Sequence, residues 1–78
     1  MEETTEQIVT TILADILDLD PATINDDTAM ENVGSWDSLN HINVALALEE
    51  RFGVIFDVEE IELMISFYQI VQTVESKL

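Results

Sequence analysis

No cysteine occurs among these 78 residues, so neither a disulfide nor a thiolate-bound metal can staple the chain. Any fold must rest on one modest hydrophobic core, because a chain this short buries only about 60% of its unfolded surface. Separate cofactor and substrate domains do not fit, and a single domain over residues 1–78 is expected. Apolar residues make up 47% of the sequence, too many for an intrinsically disordered chain.

Charge narrows the partners. Seventeen acids face two bases, Arg51 and Lys77, for a formal net charge of −15. A nucleic-acid binder needs a basic surface to neutralise phosphates, and an anionic membrane would repel this chain. The expected partner is a protein with a basic patch, or a cation, and self-repulsion should make the fold salt-sensitive. No stretch approaches the roughly 18 apolar residues of a membrane span. The opening Met1-Glu2-Glu3-Thr4 is acidic and polar, unlike a targeting segment, so a cytoplasmic monomer is expected.

The hydrophobic pattern predicts an all-α fold. Ile8, Val9, Ile12, Leu13, Ile16 and Leu17 follow the three-and-four spacing of one helix face, opened by a Thr4/Gln7 capping box. Asp20-Pro21 marks a turn or short helical start. From Asp18 to Trp36 the periodicity dissolves into a long loop, which Leu19, Ile24, Met30 and Val33 are expected to pin across the helices. A second helix is predicted from Asp37 or Ser38 to about Phe52, ended by Gly53. Its arc of Asn40, Asn43, Ala47, Glu50 and Arg51 leaves a wide apolar remainder: Leu39, Ile42, Val44, Ala45, Leu46, Leu48 and Phe52. That width predicts a central helix buried on more than one side. Val54-Ile55-Phe56 is β-rich but has no partner run. Asp57/Glu60 and Ser66/Gln69 read as two further capping boxes, opening a short helix to about Met64 and a last one through Phe67, Ile70, Val71 and Val74. The sum is a small irregular four-helix bundle with three main helices, one short helix and a long first loop.

Chemistry concentrates at Ser35-Trp36-Asp37-Ser38-Leu39. Ser38 falls in the first turn of the second helix, where unpaired N–H groups and the positive end of the helix dipole suit a phosphate. From these residues alone two readings stand. Asp37 caps the helix and Ser38 merely tolerates its first turn, or the Ser38 hydroxyl bears a phosphate-linked group.

Taken over essentially its whole length, the chain resembles the acyl carrier protein family. The order of helices, the Asp37-Ser38-Leu39 motif, Ala47-Leu48-Glu49-Glu50-Arg51-Phe52-Gly53 at the end of the second helix, and the acidity carry the resemblance. It implies a 4′-phosphopantetheine arm joined to Ser38 through a phosphodiester, with Asp37 beside it, and an acyl or aminoacyl group held as a thioester. The lack of cysteine fits, since the arm supplies the only thiol. The resemblance further implies a non-catalytic carrier, modified by a phosphopantetheinyl transferase and served by acyl- or aminoacyl-loading and acyl-transfer enzymes with basic docking patches. The implied partner surface is Leu39, Asn40, Asn43, Ala47 and Glu50 with Glu59 and Glu60. The implied acyl pocket is Ile42, Leu46, Phe56, Ile61 and Met64. Members serving fatty acid synthesis commonly carry acids just after the serine, where this chain has Asn40, His41 and Asn43, so weaker steering to a basic patch is expected. Phe56 stands where those members have a smaller aliphatic residue, which points to a short or polar cargo. Fatty acid, polyketide, aminoacyl and other specialised acyl pathways all agree with the resemblance.

Other residues carry less. A Ser38–His41 hydrolytic dyad would need an oxyanion hole and a pocket that so small a chain does not supply, so His41 is expected to be exposed or to face a partner. Trp36 is expected to pack on the bundle. An EF-hand reading from Asp18 fails, because Thr23 occupies the position that requires glycine; no specific metal site is expected, only weak divalent binding. Glu2-Glu3 and Glu59-Glu60 read as solvated faces. The rival to a carrier is an unmodified acidic helical adaptor for a basic protein, which would tolerate alanine at position 38.

Overall fold

Four α-helices account for most of the described residues, 3–78, in the computed structural model: α1 (Thr5–Leu17), α2 (Ser38–Phe52), α3 (Val58–Leu63) and α4 (Phe67–Lys77). Met1 and Glu2, which open the acidic N-terminus, lie outside the described residues. The all-α bundle expected from the periodicity is the fold observed.

Local sequence explains each helix boundary. The Thr4 hydroxyl accepts the Gln7 N–H, and the Gln7 side chain returns to the Thr4 N–H at 2.8 Å, completing the expected capping box. Asp18 ends α1 in the left-handed region at φ 55°, tolerable for a short polar side chain, and Leu19 N–H closes onto the Ala14 carbonyl. Gly53 ends α2 at φ 67°, where a Cβ would be strained. Asp57 and Glu60 form the second reciprocal box, at α3. The third is only half made. Ser66 Oγ accepts the Gln69 N–H, but its hydroxyl then donates to Gln69 Oε1, while the Ser66 backbone joins an antiparallel bridge with Ala29.

Val9, Leu13 and Leu17 of α1 meet Val44, Ala45 and Leu48 of α2 and Ile70, Val71 and Val74 of α4 in one core. Each fully buried leucine or isoleucine contributes about 1.5–3 kcal/mol relative to exposure. Here α1, rather than α2, is the helix packed extensively against both long partners. Correspondingly, α2 is buried on one side only. Leu39, Ile42 and Leu46 are exposed, at 72%, 48% and 57%, contrary to the burial their apolar character suggested. The six-residue α3 is too short to cover that face.

The Asp18–Trp36 connection is ordered rather than structureless. It contains two 3-10 turns, Pro21–Thr23 and Met30–Asn32. Leu19, Ile24, Met30 and Val33 all pack against the core, as expected. The loop is also tied to the lead-in of α4, where Met30 N–H donates to the Ile65 carbonyl and Phe67 N–H to the Thr28 carbonyl. Val54-Ile55-Phe56 forms no strand; Phe56 N–H instead donates to the Glu49 carboxylate at 2.8 Å.

Candidate functional site at the start of α2

The approach to Ser38 is fastened at every residue before it. Trp36 N–H donates to the Val33 carbonyl, turning the chain after Gly34. Ser35 Oγ donates to the Leu17 carbonyl at 2.8 Å, anchoring the turn to the C-terminus of α1. The Asn40 amide donates to the Ser35 carbonyl at 2.8 Å, so α2 itself reaches back to hold its lead-in. Asp37 has extended backbone angles and accepts the Asn40 N–H at 2.9 Å, the geometry of an N-cap.

Ser38 is the first residue of α2 and is exposed. The surrounding hydrogen bonds belong to Ser35, Asp37 and Asn40 and leave the Ser38 hydroxyl free among the described residues. The Ser38 and Leu39 N–H groups lack intrahelical acceptors, and the cap residue Asp37 is the one acid at this end of α2 among the described residues, its carboxylate engaged by the Asn40 N–H. An accessible hydroxyl oxygen on a capped helix start, beside backbone N–H groups without intrahelical acceptors, fits a phosphodiester-linked group.

Behind Ser38 lies a buried polar relay. Trp36 is 2% exposed and donates its indole N–H to His41 Nδ1 at 3.1 Å; His41 Nε2 lies 2.7 Å from the Ile61 carbonyl. The expectation of an exposed or partner-facing His41 is therefore corrected, since the ring is 8% exposed. It turns inward because the buried Trp36 N–H needs an acceptor, and the Ile61 carbonyl has a second lone-pair site for the other ring nitrogen. Both imidazole nitrogens are committed, so His41 offers no base to Ser38. Trp36 packs on the bundle as expected.

The remaining candidates divide between surface and core. Leu39, Asn43 and Glu50 share the outward side of α2 with Ile42 and Leu46, while Asn40 and Ala47 are half-buried. Glu59 is exposed on α3. Glu60 is engaged, accepting from Lys77 Nζ at 2.8 Å and from the Asp57 N–H; the Lys77 hydrogen bond and then that N–H hold its carboxyl below the ordinary 4.5. Lys77 Nζ also lies 5.8 Å from the centre of the Phe56 ring. Of the five pocket residues, Phe56 and Met64 are closed into the core at 5% and 1% exposure, Ile61 is partly buried, and Ile42 and Leu46 face outward. The two α2 residues expected to line a pocket thus present their side chains to solvent, while Phe56 and Met64 are core. The roles of Ser35, the Leu17 carbonyl and the Ile61 carbonyl left no mark in the sequence, since each depends on contacts between distant segments.

A sequence model of the family described as "Phosphopantetheine attachment site" matches residues 7–76. No curated protein matches the chain.

Proposed function

The chain belongs to the phosphopantetheine attachment-site family, whose members carry covalently attached 4′-phosphopantetheine, and from that premise we propose that Ser38 is the attachment residue of an acyl or aminoacyl carrier. The observation that carries the assignment is the exposed Ser38 hydroxyl, free of side-chain partners among the described residues, at the first position of a capped 15-residue helix. In the modification, Ser38 Oγ forms a bond to phosphorus of coenzyme A. The bond to adenosine 3′,5′-bisphosphate breaks, and the serine proton passes to a base of the transferase. The arm supplies a thiol on which cargo is held as a thioester. This chain's own residues present the serine rigidly, donate N–H groups toward the phosphodiester, and offer the outward face of α2 to enzymes.

In this reading the protein is not itself an enzyme. It serves a phosphopantetheinyl transferase and acyl- or aminoacyl-handling enzymes in the cytoplasm; no helix among the described residues is long and apolar enough to cross a membrane. Acidity supports encounter with basic docking patches at modest affinity.

The test is intact-mass measurement after incubation with a broad-specificity transferase, coenzyme A and Mg²⁺. The expected result is one phosphopantetheine per chain and none on Ser38→Ala. Modification mapped to Ser35 or Ser66 would overturn the assignment. An unmodified chain that still binds a basic partner, with Ser38→Ala binding equally, would instead favour an adaptor.

A further inference from the structure

The relay behind Ser38 has a direction that its neighbours dictate. An indole N–H can only donate, so His41 Nδ1 must present its lone pair to Trp36. A carbonyl can only accept, so His41 Nε2 must carry the proton that faces Ile61. The chain Trp36 Nε1–H···Nδ1 His41 Nε2–H···O=C Ile61 is thus satisfied by the neutral Nε2–H tautomer alone.

Its placement relates it to the serine. Trp36 lies two residues before Ser38 and His41 three after, so their hydrogen bond closes a loop across Asp37-Ser38 from the buried side. The Asn40–Ser35 bond closes the same turn from the other side. The Ile61 carbonyl lies in the last turn of α3, where the Met64 N–H reaches it only at 3.3 Å while also bonding the Glu60 carbonyl, and His41 adds a donor at 2.7 Å. We propose that Trp36 and His41 are positioning residues for the modification of Ser38, holding the serine-bearing turn in one geometry against α2 and α3. The inference rests on Ser38 being the attachment residue.

Neither side chain touches the outward face of α2 that a transferase would meet, since both are buried. Loss of the relay therefore acts on how often the hydroxyl is correctly aimed, not on docking. A misplacement of about 1 Å at a reacting group costs up to roughly a hundredfold in rate. Trp36→Phe and His41→Phe, which keep an apolar ring in place, are expected to lower the transferase kcat about tenfold or more with KM little changed. His41→Asn sets a carbonyl oxygen near the place of Nδ1 and is expected to restore most of kcat. His41→Gln sets its amide near Nε2, reaches Ile61 alone, and is expected to stay slow.

The experiment measures kcat and KM for each variant shown to be folded by circular dichroism, beside nitrogen-15 shifts of the His41 ring in the wild-type protein. The expected ring has a bare Nδ1 and a protonated Nε2, with the Trp36 indole proton shifted by its acceptor. Folded phenylalanine variants with wild-type kcat, a change confined to KM, or a ring protonated on Nδ1 alone would each overturn the inference. Because the ring measurement uses the wild-type protein, a ring protonated on Nδ1 alone overturns the inference even where the phenylalanine variants fail to fold, and kcat of folded His41→Asn against His41→Gln then tests the positioning role. Wild-type protein left unmodified at Ser38 would overturn the attachment assignment and this inference together; unchanged kcat in the variants overturns this inference alone.

Discussion

Asn40 donates its side-chain amide to the Ser35 carbonyl at 2.8 Å while its own N–H is held by Asp37, so one residue of α2 secures both sides of the turn that presents Ser38. A position that resembled a partner contact thus has an internal role. Asn40→Ala should cost about 1 kcal/mol, the typical net worth of such a hydrogen bond. Asn40→Asp recovers about 0.3–1 kcal/mol from the helix dipole but loses the same donor and faces a carbonyl oxygen. Denaturant melts check this. An Asn40→Asp protein clearly more stable than wild type would show that the amide contributes nothing.

Leu39, Ile42 and Leu46 form an apolar stripe on the solvent side of α2, beside Asn43 and Glu50. Ile42→Gln and Leu46→Gln should change stability by no more than about 0.5 kcal/mol, as surface substitutions do. If this exposed stripe takes part in the proposed docking of enzymes beside Ser38, the same changes should slow modification or acyl loading by raising KM. Large losses of melting temperature would place these side chains in the core instead.

The Lys77–Glu60 contact makes a pH prediction. Its carboxyl lies below the ordinary 4.5 in the folded chain, so the folded state favours the ionised form. The contribution is fully present above about pH 4.5, the unfolded value, and is lost as pH falls through the lower folded value. Glu60→Gln should therefore flatten stability against pH in that acid range and change its slope little near neutrality. Parallel profiles for the two proteins between about pH 3 and pH 5 would show the contact to be without weight.

Phe56, in the segment joining α2 to α3, is 5% exposed, with Lys77 Nζ 5.8 Å from its ring centre. That packing supports the proposal of a short or polar cargo remaining on the arm. Phe56→Ala should cost about 3–5 kcal/mol, comparable with the whole stability of so small a fold, so Phe56→Leu is the usable variant. Wild-type protein loaded with acyl chains of increasing length should show little rise in melting temperature, and Phe56→Leu a larger one. Strong stabilisation of the wild type by long chains would return a fatty cargo to favour.

Much of this molecule is local physics and therefore legible in the sequence. The Thr4/Gln7 and Asp57/Glu60 boxes, Asp37 before α2 and Gly53 after it are satisfied within three or four residues, so pattern alone placed the helices. The exposed serine at a helix start was legible for the same reason. Where a side chain's partner lies far along the chain, pattern was silent. An apolar residue on α2 is core or surface only by virtue of what packs on it: Val44 meets other helices, whereas nothing in α3 is long enough to cover Leu46. His41 is a surface switch or a buried link depending on whether the loop delivers Trp36 and α3 delivers Ile61 to its two nitrogens. The sequence by itself determined four helices, their caps and the serine that opens α2; only tertiary structure decided which face of α2 meets solvent and how His41 is satisfied. The reason is physical: backbone caps are closed by neighbours three residues away, but burial and the pairing of buried polar groups are settled between segments 20 residues apart, as for His41 and Ile61, or farther, as for α1 and α4.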